Sequence, residues 1–172
     1  MAEPRSDDSR TIAAAGDASV TLPSERDIAI VRRFAAPRAK VFDAWTKADQ
    51  IAAWWDPRRR PLAACEVDLR PGGSFRFVPQ ASTGGEAPPF VGEYREISPP
   101  ARLVFATPGP SPGTETVGTL IFDEQDGWTT LTIRMSCASR EDRDALLRAR
   151  VDAGTVQTLA SLEAHLLRQG NP

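Results

Sequence analysis

Apolar and polar residues alternate along this chain in two periods, and the switches between them predict most of its elements. Residues 28–34 run in steps of two, with Ile28, Ile30, Arg32 and Phe34 on one side of an extended segment. Ala36-Pro37 then predicts a helix start, because proline presets φ and is tolerated at the first helical position. Val41, Phe42 and Trp45 give that helix its apolar face. A second short helix follows, with Thr46 or Asp49 as its cap and Ile51, Trp54 and Trp55 facing inward. It ends by Asp56, since Pro57 disfavours helical backbone in the residue before it.

The period of two then returns. Cys65, Val67 and Leu69 alternate with Glu66, Asp68 and Arg70, Pro71-Gly72-Gly73 supplies a turn, and residues 74–78 come back with Phe75 and Phe77 on one face. Residues 80–89 are a Gly/Pro/Ser loop. Strands are predicted at 90–97 and 102–107 around Ser98-Pro99-Pro100, and at 116–122 and 128–135 joined through Asp126-Gly127, a dipeptide suited to a tight hairpin. Between these pairs, the prolines and glycines of 108–113 cannot hold a ladder.

Ser139 followed by Asp142 resembles a capping box and opens the last element. Leu147, Val151, Thr155, Thr158, Leu162 and Leu166 recur at helical spacing and draw one apolar stripe along a long helix. Gly170 and Pro172 mark its end. Gly154 lies within the stripe, where glycine costs roughly 1 kcal/mol relative to alanine. Close approach to the sheet, or room for something beneath the helix, would compensate. The predicted fold is therefore α+β: a curved antiparallel sheet of about seven strands, two short helices, and one long C-terminal helix packed across the sheet in a second layer. Residues 1–24, rich in Ala, Ser and Asp without a sustained apolar period, read as a flexible tail, and the domain as 25–172.

Composition narrows the function. A 172-residue chain with 41% hydrophobic residues can build a core without staples. The net charge of −2 argues against a dedicated nucleic-acid binder, which needs a basic face. Arg58-Arg59-Arg60, the one basic run, sits between Pro57 and Pro61 and reads as a solvated loop. Cys65 and Cys137 lie far apart in apolar-alternating segments and read as buried free thiols, in keeping with a reducing cytoplasm. The acidic N-terminus does not resemble a secretory signal, and no apolar run approaches the length of a membrane span. No metal or cofactor is implied.

Catalytic candidates are few. His165 is the single histidine; it falls at the edge of the apolar stripe near the helix C-terminus, where an imidazolium would interact favourably with the helix dipole. No phosphate-binding glycine loop, nucleophile elbow or HExxH is present. Glu66, Asp68, Glu93 and Glu96 sit mostly out of phase with the apolar residues and read as solvent-facing, while Glu93 and Tyr94 point to opposite faces. No second group is evident to work with any of them.

Several separated motifs resemble the START-like (SRPBCC, helix-grip) superfamily. Within it they resemble the bacterial proteins named after the activator of the heat-shock protein 90 ATPase. The motifs are Arg32-x-Phe34-x-Ala36-Pro37, Val41-Phe42-x-Ala44-Trp45-Thr46, Trp54-Trp55-x-Pro57, Val67-Asp68-Leu69-Arg70-Pro71-Gly72-Gly73, and Gly92-x-Tyr94-x-Glu96-Ile97 leading into Pro100-x-Arg102-Leu103-Val104-Phe105. The resemblance runs from about Asp27 to Leu167. The chain departs from it at Asp56, where relatives carry glycine, and at Thr155, where relatives tend to carry an aromatic ring; the smaller Thr155 would enlarge the space under the helix.

The resemblance implies a helix-grip fold with a cavity between sheet and long helix. The aromatic periodicity by itself reports burial. With the resemblance, it implies that Trp45, Trp54, Trp55, Phe75, Phe77, Phe90, Tyr94, Phe105, Met135, Val151, Thr155 and Leu159 line a site for an apolar or amphipathic small molecule, with Arg32, Tyr94 and Thr155 as its polar groups. Two other functions stay open: a co-chaperone-like regulator of a heat-shock protein 90 ATPase, acting through an outer surface, and a cyclase- or hydrolase-like enzyme. An exposed strand edge or apolar patch would also allow a homodimer.

Overall fold

The computed structural model describes residues 10–15, 17–55 and 60–170. In chain order the elements are β1 (Arg10–Ala15), β2 (Ala18–Ser24), β3 (Asp27–Phe34), α1 (Arg38–Thr46), α2 (Ala48–Trp54), β4 (Leu62–Val67), β5 (Ser74–Pro79), β6 (Phe90–Ser98), β7 (Arg102–Pro108), β8 (Glu115–Gln125), β9 (Trp128–Ser136), α3 (Arg140–Arg148) and α4 (Val151–Gly170). The strands form one antiparallel sheet of nine in the order β1-β2-β3-β9-β8-β7-β6-β5-β4. The sheet is curved and unclosed, and the α+β class predicted from the sequence is the one observed.

The alternation that predicted β3 sets its burial: Ile28, Ile30 and Phe34 are enclosed in the core. They pair across to Met135, Ile133 and Thr129 of β9, so both strands feed one apolar layer. On the other layer, Val41, Phe42 and Ala44 of α1 and Ile51 and Trp54 of α2 close over that face. Leu159, Leu162 and Leu166 of α4 complete the core. The Asp126-Gly127 hairpin forms with both residues in the left-handed region (φ 53° and 77°), the geometry that a tight two-residue turn requires.

Four expectations are corrected. The sheet has nine strands, not about seven. The two extra strands come from the segment read as a tail: β1 and β2 form a hairpin, and Ala18 and Val20 are buried opposite Arg32 and Ile30 of β3. Small residues carried that alternation, which is why the period was faint. The single long helix is also two, α3 and α4, broken at Arg150, whose φ is 59°. Ser139 caps α3 as expected, its hydroxyl accepting from the Asp142 amide at 3.1 Å. The break was hidden because neither Ala149 nor Arg150 is the glycine or asparagine that marks such a turn.

Neither Thr46 nor Asp49 caps α2. Its N-cap is Lys47, and the Thr46 hydroxyl donates instead to Phe42 O at 2.9 Å. α1 likewise has no side-chain cap of its own; Glu124, distant in sequence, accepts from the Arg38 amide at 2.9 Å. Finally, Leu69 lies beyond the end of β4 and is exposed, because the chain turns at Asp68–Gly73 with Gly72 at φ 82°. Expectations that fall on residues 1–9, Asp56, Pro57, Arg58, Arg59 and Pro172 lie outside the described residues.

Candidate functional site

Between the sheet and the first two turns of α4 lies a cavity of about 880 Å3. Its floor is Phe105, Gly118, Leu120, Ile133 and Met135 from β7, β8 and β9, and its roof is Val151, Ala153, Gly154, Thr155, Thr158 and Leu159. Trp45, Trp55, Phe90 and the Pro88-Pro89 pair wall one side, while Thr107, Thr116, Leu146 and Arg150 wall another. The volume falls in the range of ordinary small-molecule sites, roughly 300–1,000 Å3.

Sequence features make the space. Phe105 pairs directly with Gly118 across β7 and β8, and Phe75 with Gly92 across β5 and β6. A Cβ on Gly118 would stand 2.5 Å from Phe105 Cζ, and one on Gly92 would stand 2.4 Å from Phe75 Cζ. Each ring therefore lies flat over a missing side chain, which keeps it on the sheet and out of the interior. Overhead, a Cβ on Gly154 would meet nothing within 4 Å. Of the two compensations expected for this glycine, room is the one observed.

The predicted lining residues divide three ways. Trp45, Trp55, Phe90, Phe105, Met135, Val151, Thr155 and Leu159 border the large cavity. Phe75, Phe77 and Tyr94 border a separate void of about 20 Å3, beside Trp45, Trp55, Phe90 and Phe105. That is room for about one water, in walls that offer it almost no hydrogen bonds. Trp54 borders neither; it is buried against Trp45 (ring centroids 4.9 Å apart), with its indole N–H donating to Ala44 O at 2.8 Å. The rings form one continuous aromatic cluster, with Trp55 stacked on Phe90 at 5.3 Å and Phe75 touching Phe77, Phe90, Tyr94 and Phe105.

The polar groups differ from those expected. Arg32 does not reach the cavity: its guanidinium pairs with Glu163 of α4 at 2.6 Å and ties helix to sheet. Thr155 spends its hydroxyl on Val151 O at 2.8 Å. Burial pushes the Tyr94 phenol up to about 12, so it stays protonated. Two other wall residues hold buried polar atoms: Trp45 Nε1, without a hydrogen-bond partner, and Thr116 Oγ1, which has the Cys137 thiol beside it. Periodicity ranked Trp45 as apolar, and Thr116 opened a strand like any β-branched residue, so neither signalled this role. Arg60 and Arg150 also line the cavity.

Among the described residues no acid–base constellation faces the space. Asp68, Glu93 and Glu96 are exposed and pair with Arg70, Arg95 and Arg102. His165 lies elsewhere, its Nε2 2.7 Å from Gln50 Oε1 of α2. Burial, reinforced by Arg168, holds its imidazole below the ordinary value against the opposing pull of Asp49, so the expected imidazolium on the helix dipole is replaced by a neutral ring. Cys65 and Cys137 are both free thiols, each pushed up chiefly by burial. Among the described residues no group of three or more His, Cys, Asp or Glu is placed to hold a metal, and no helix is long and apolar enough to cross a membrane.

Solved structures share this architecture. A protein of Rhodobacter sphaeroides superposes with a TM-score of 0.79 at 24% identity, over 88% of this chain and 98% of its own. One from Nitrosomonas europaea gives 0.76 at 22%, over 86% and 98%. CalU16 from Micromonospora echinospora gives 0.59 at 22%, over 91% and 81%. At these identities the likeness is one of fold. No curated protein matches the sequence. A family model does match, over residues 35–167. The chain has the START-like helix-grip fold and belongs to the family described as Activator of Hsp90 ATPase homolog 1-like protein.

Proposed function

We propose that this protein binds an apolar or amphipathic small molecule in the cavity under α4. The observation that carries the reading is the cavity itself: about 880 Å3, walled by aromatic and aliphatic side chains, in a domain whose other half is closely packed. Interiors normally close up, because each lost contact forfeits dispersion energy and each void destabilises. Here Gly154 in the roof and Gly118 under the floor ring of Phe105 hold the space open. Trp45 Nε1 supports an occupant with at least one hydrogen-bonding atom, since a buried unpaired donor costs about 1–3 kcal/mol. Two free thiols fit work in the cytoplasm.

Native mass spectrometry of protein purified from its own host tests this directly. A retained mass that denaturation releases, and that is lost in Gly154→Leu, is the expected result. Leucine is a better helix former than glycine and would project into the open space, so that variant should fold while obstructing the cavity beneath the roof. An empty protein that no apolar compound stabilises against heat would sink the proposal. The family's description carries a second reading, a regulator of a heat-shock protein 90 ATPase working through an outer surface. Addition of this protein to the host chaperone without change in its ATPase rate would exclude it.

A further inference from the structure

We propose that the cavity's occupant is an anionic amphiphile: an apolar body whose carboxylate head is held at the α3–α4 junction by Arg150. The inference rests on the cavity being a ligand site, and adds the ligand's charge and the residue that reads it.

Charge on the described part of the wall is of one sign. Among the described lining residues the charged ones are Arg60 and Arg150, with no Asp or Glu, in a chain whose acidic residues (23) outnumber its lysines and arginines (21). Arg32, Arg70, Arg95, Arg102, Arg134, Arg140 and Arg143 are all ion-paired. Among the described residues Arg150 is one of the arginines without an ion pair, as are Arg26, Arg76 and Arg168. It lies exposed at the rim, where a charged head can keep some of its water while the body enters the apolar space.

The backbone gives an independent argument. Arg150 sits at φ 59° immediately after the last residue of the α3 cap, a position at which glycine is favoured and a side chain is strained. Outliers of this kind cluster at ligand clamps, where the side chain has work that the fold alone does not require. The turn sets Arg150 immediately before the first turn of α4, where its carbonyl accepts from the Gly154 amide at 3.0 Å at the positive end of a 20-residue helix dipole. Asp152 in that turn is not a lining residue. A guanidinium matches a carboxylate through two parallel hydrogen bonds.

Displacement of the neutral dye Nile red by dodecanoate, dodecyl phosphate and dodecanol, in the wild type and in Arg150→Gly, tests the inference. Dodecanoate should displace the dye at a concentration on the order of tenfold lower than dodecanol. That preference should shrink as salt is raised. Arg150→Gly should abolish the preference, leave dodecanol within about twofold of the wild type, and melt no lower than the wild type, because glycine suits the left-handed turn. Stronger displacement by dodecyl phosphate than by dodecanoate would overturn the carboxylate assignment. Equal action of dodecanoate and dodecanol would overturn the anionic head and leave the cavity reading standing. Failure of Nile red to bind at all, with no heat stabilisation by any of the three, would bring down the cavity reading with it.

Discussion

From Thr158 to Leu166, α4 buries Thr158, Leu159, Leu162, His165 and Leu166, whereas no residue from Val151 to Gln157 is fully buried. The buried half packs against α2, α1 and β3, and two polar ties fasten it: Arg32 to Glu163 and His165 to Gln50. The other half spans a hollow. A single helix thus serves as wall at one end and as roof at the other. The same sheet answers both roles, with Ile28, Ile30 and Leu131 filling the space under the packed half, and the Phe105 ring flattened over Gly118 clearing it under the open half. Burial in one region fixes the height of the roof in the other.

Core truncation should separate the two halves most sharply. Leu162→Ala should lose about 2–5 kcal/mol in urea denaturation, the usual cost of a fully buried leucine. Val151→Ala, on the open half, should lose less than about 1 kcal/mol, and equal losses would mean the roof is as tightly packed as the wall. Gly154→Ala should gain about 1 kcal/mol from helix propensity, since its Cβ meets nothing; a loss would mean the space closes in solution.

The smallest effect concerns the tie at the packed end. Burial holds the His165 imidazole low, so its contribution to stability is complete above its ordinary value of 6.5 and is lost as the pH falls through the depressed folded value. The urea midpoint should therefore fall from neutral pH towards pH 5. His165→Gln should flatten that part of the slope, and an unchanged slope would assign it to other groups.

Much of the fold was legible in the sequence because alternation and burial report the same physics. Ile28, Ile30 and Phe34, the Asp126-Gly127 turn and the Ser139 cap stand where period, turn chemistry and capping placed them. The misses share a cause. β2 alternates through Ala18 and Val20, whose small apolar contrast barely registers, and the break at Arg150 uses a residue that left-handed turns rarely take. The candidate site was harder. An inward aromatic is equally consistent with a packed core and a cavity wall, which is how Trp54 and Trp55 were grouped although only one borders the space. Orphaned polar atoms such as Trp45 Nε1 are defined by what fails to surround them, which no local pattern encodes.

The family match begins at residue 35, so it leaves the β1–β2 hairpin outside. In a chain trimmed to start at residue 25, β3 would become the margin of the sheet. Eight residues with Ile28 and Ile30 on one face would then offer a row of unsatisfied amides and carbonyls to any passing chain. The hairpin acts as a guard rail for this margin, shifting it out to the shorter β1. Its removal should therefore be felt first as self-association at high concentration, ahead of any change in what the cavity holds.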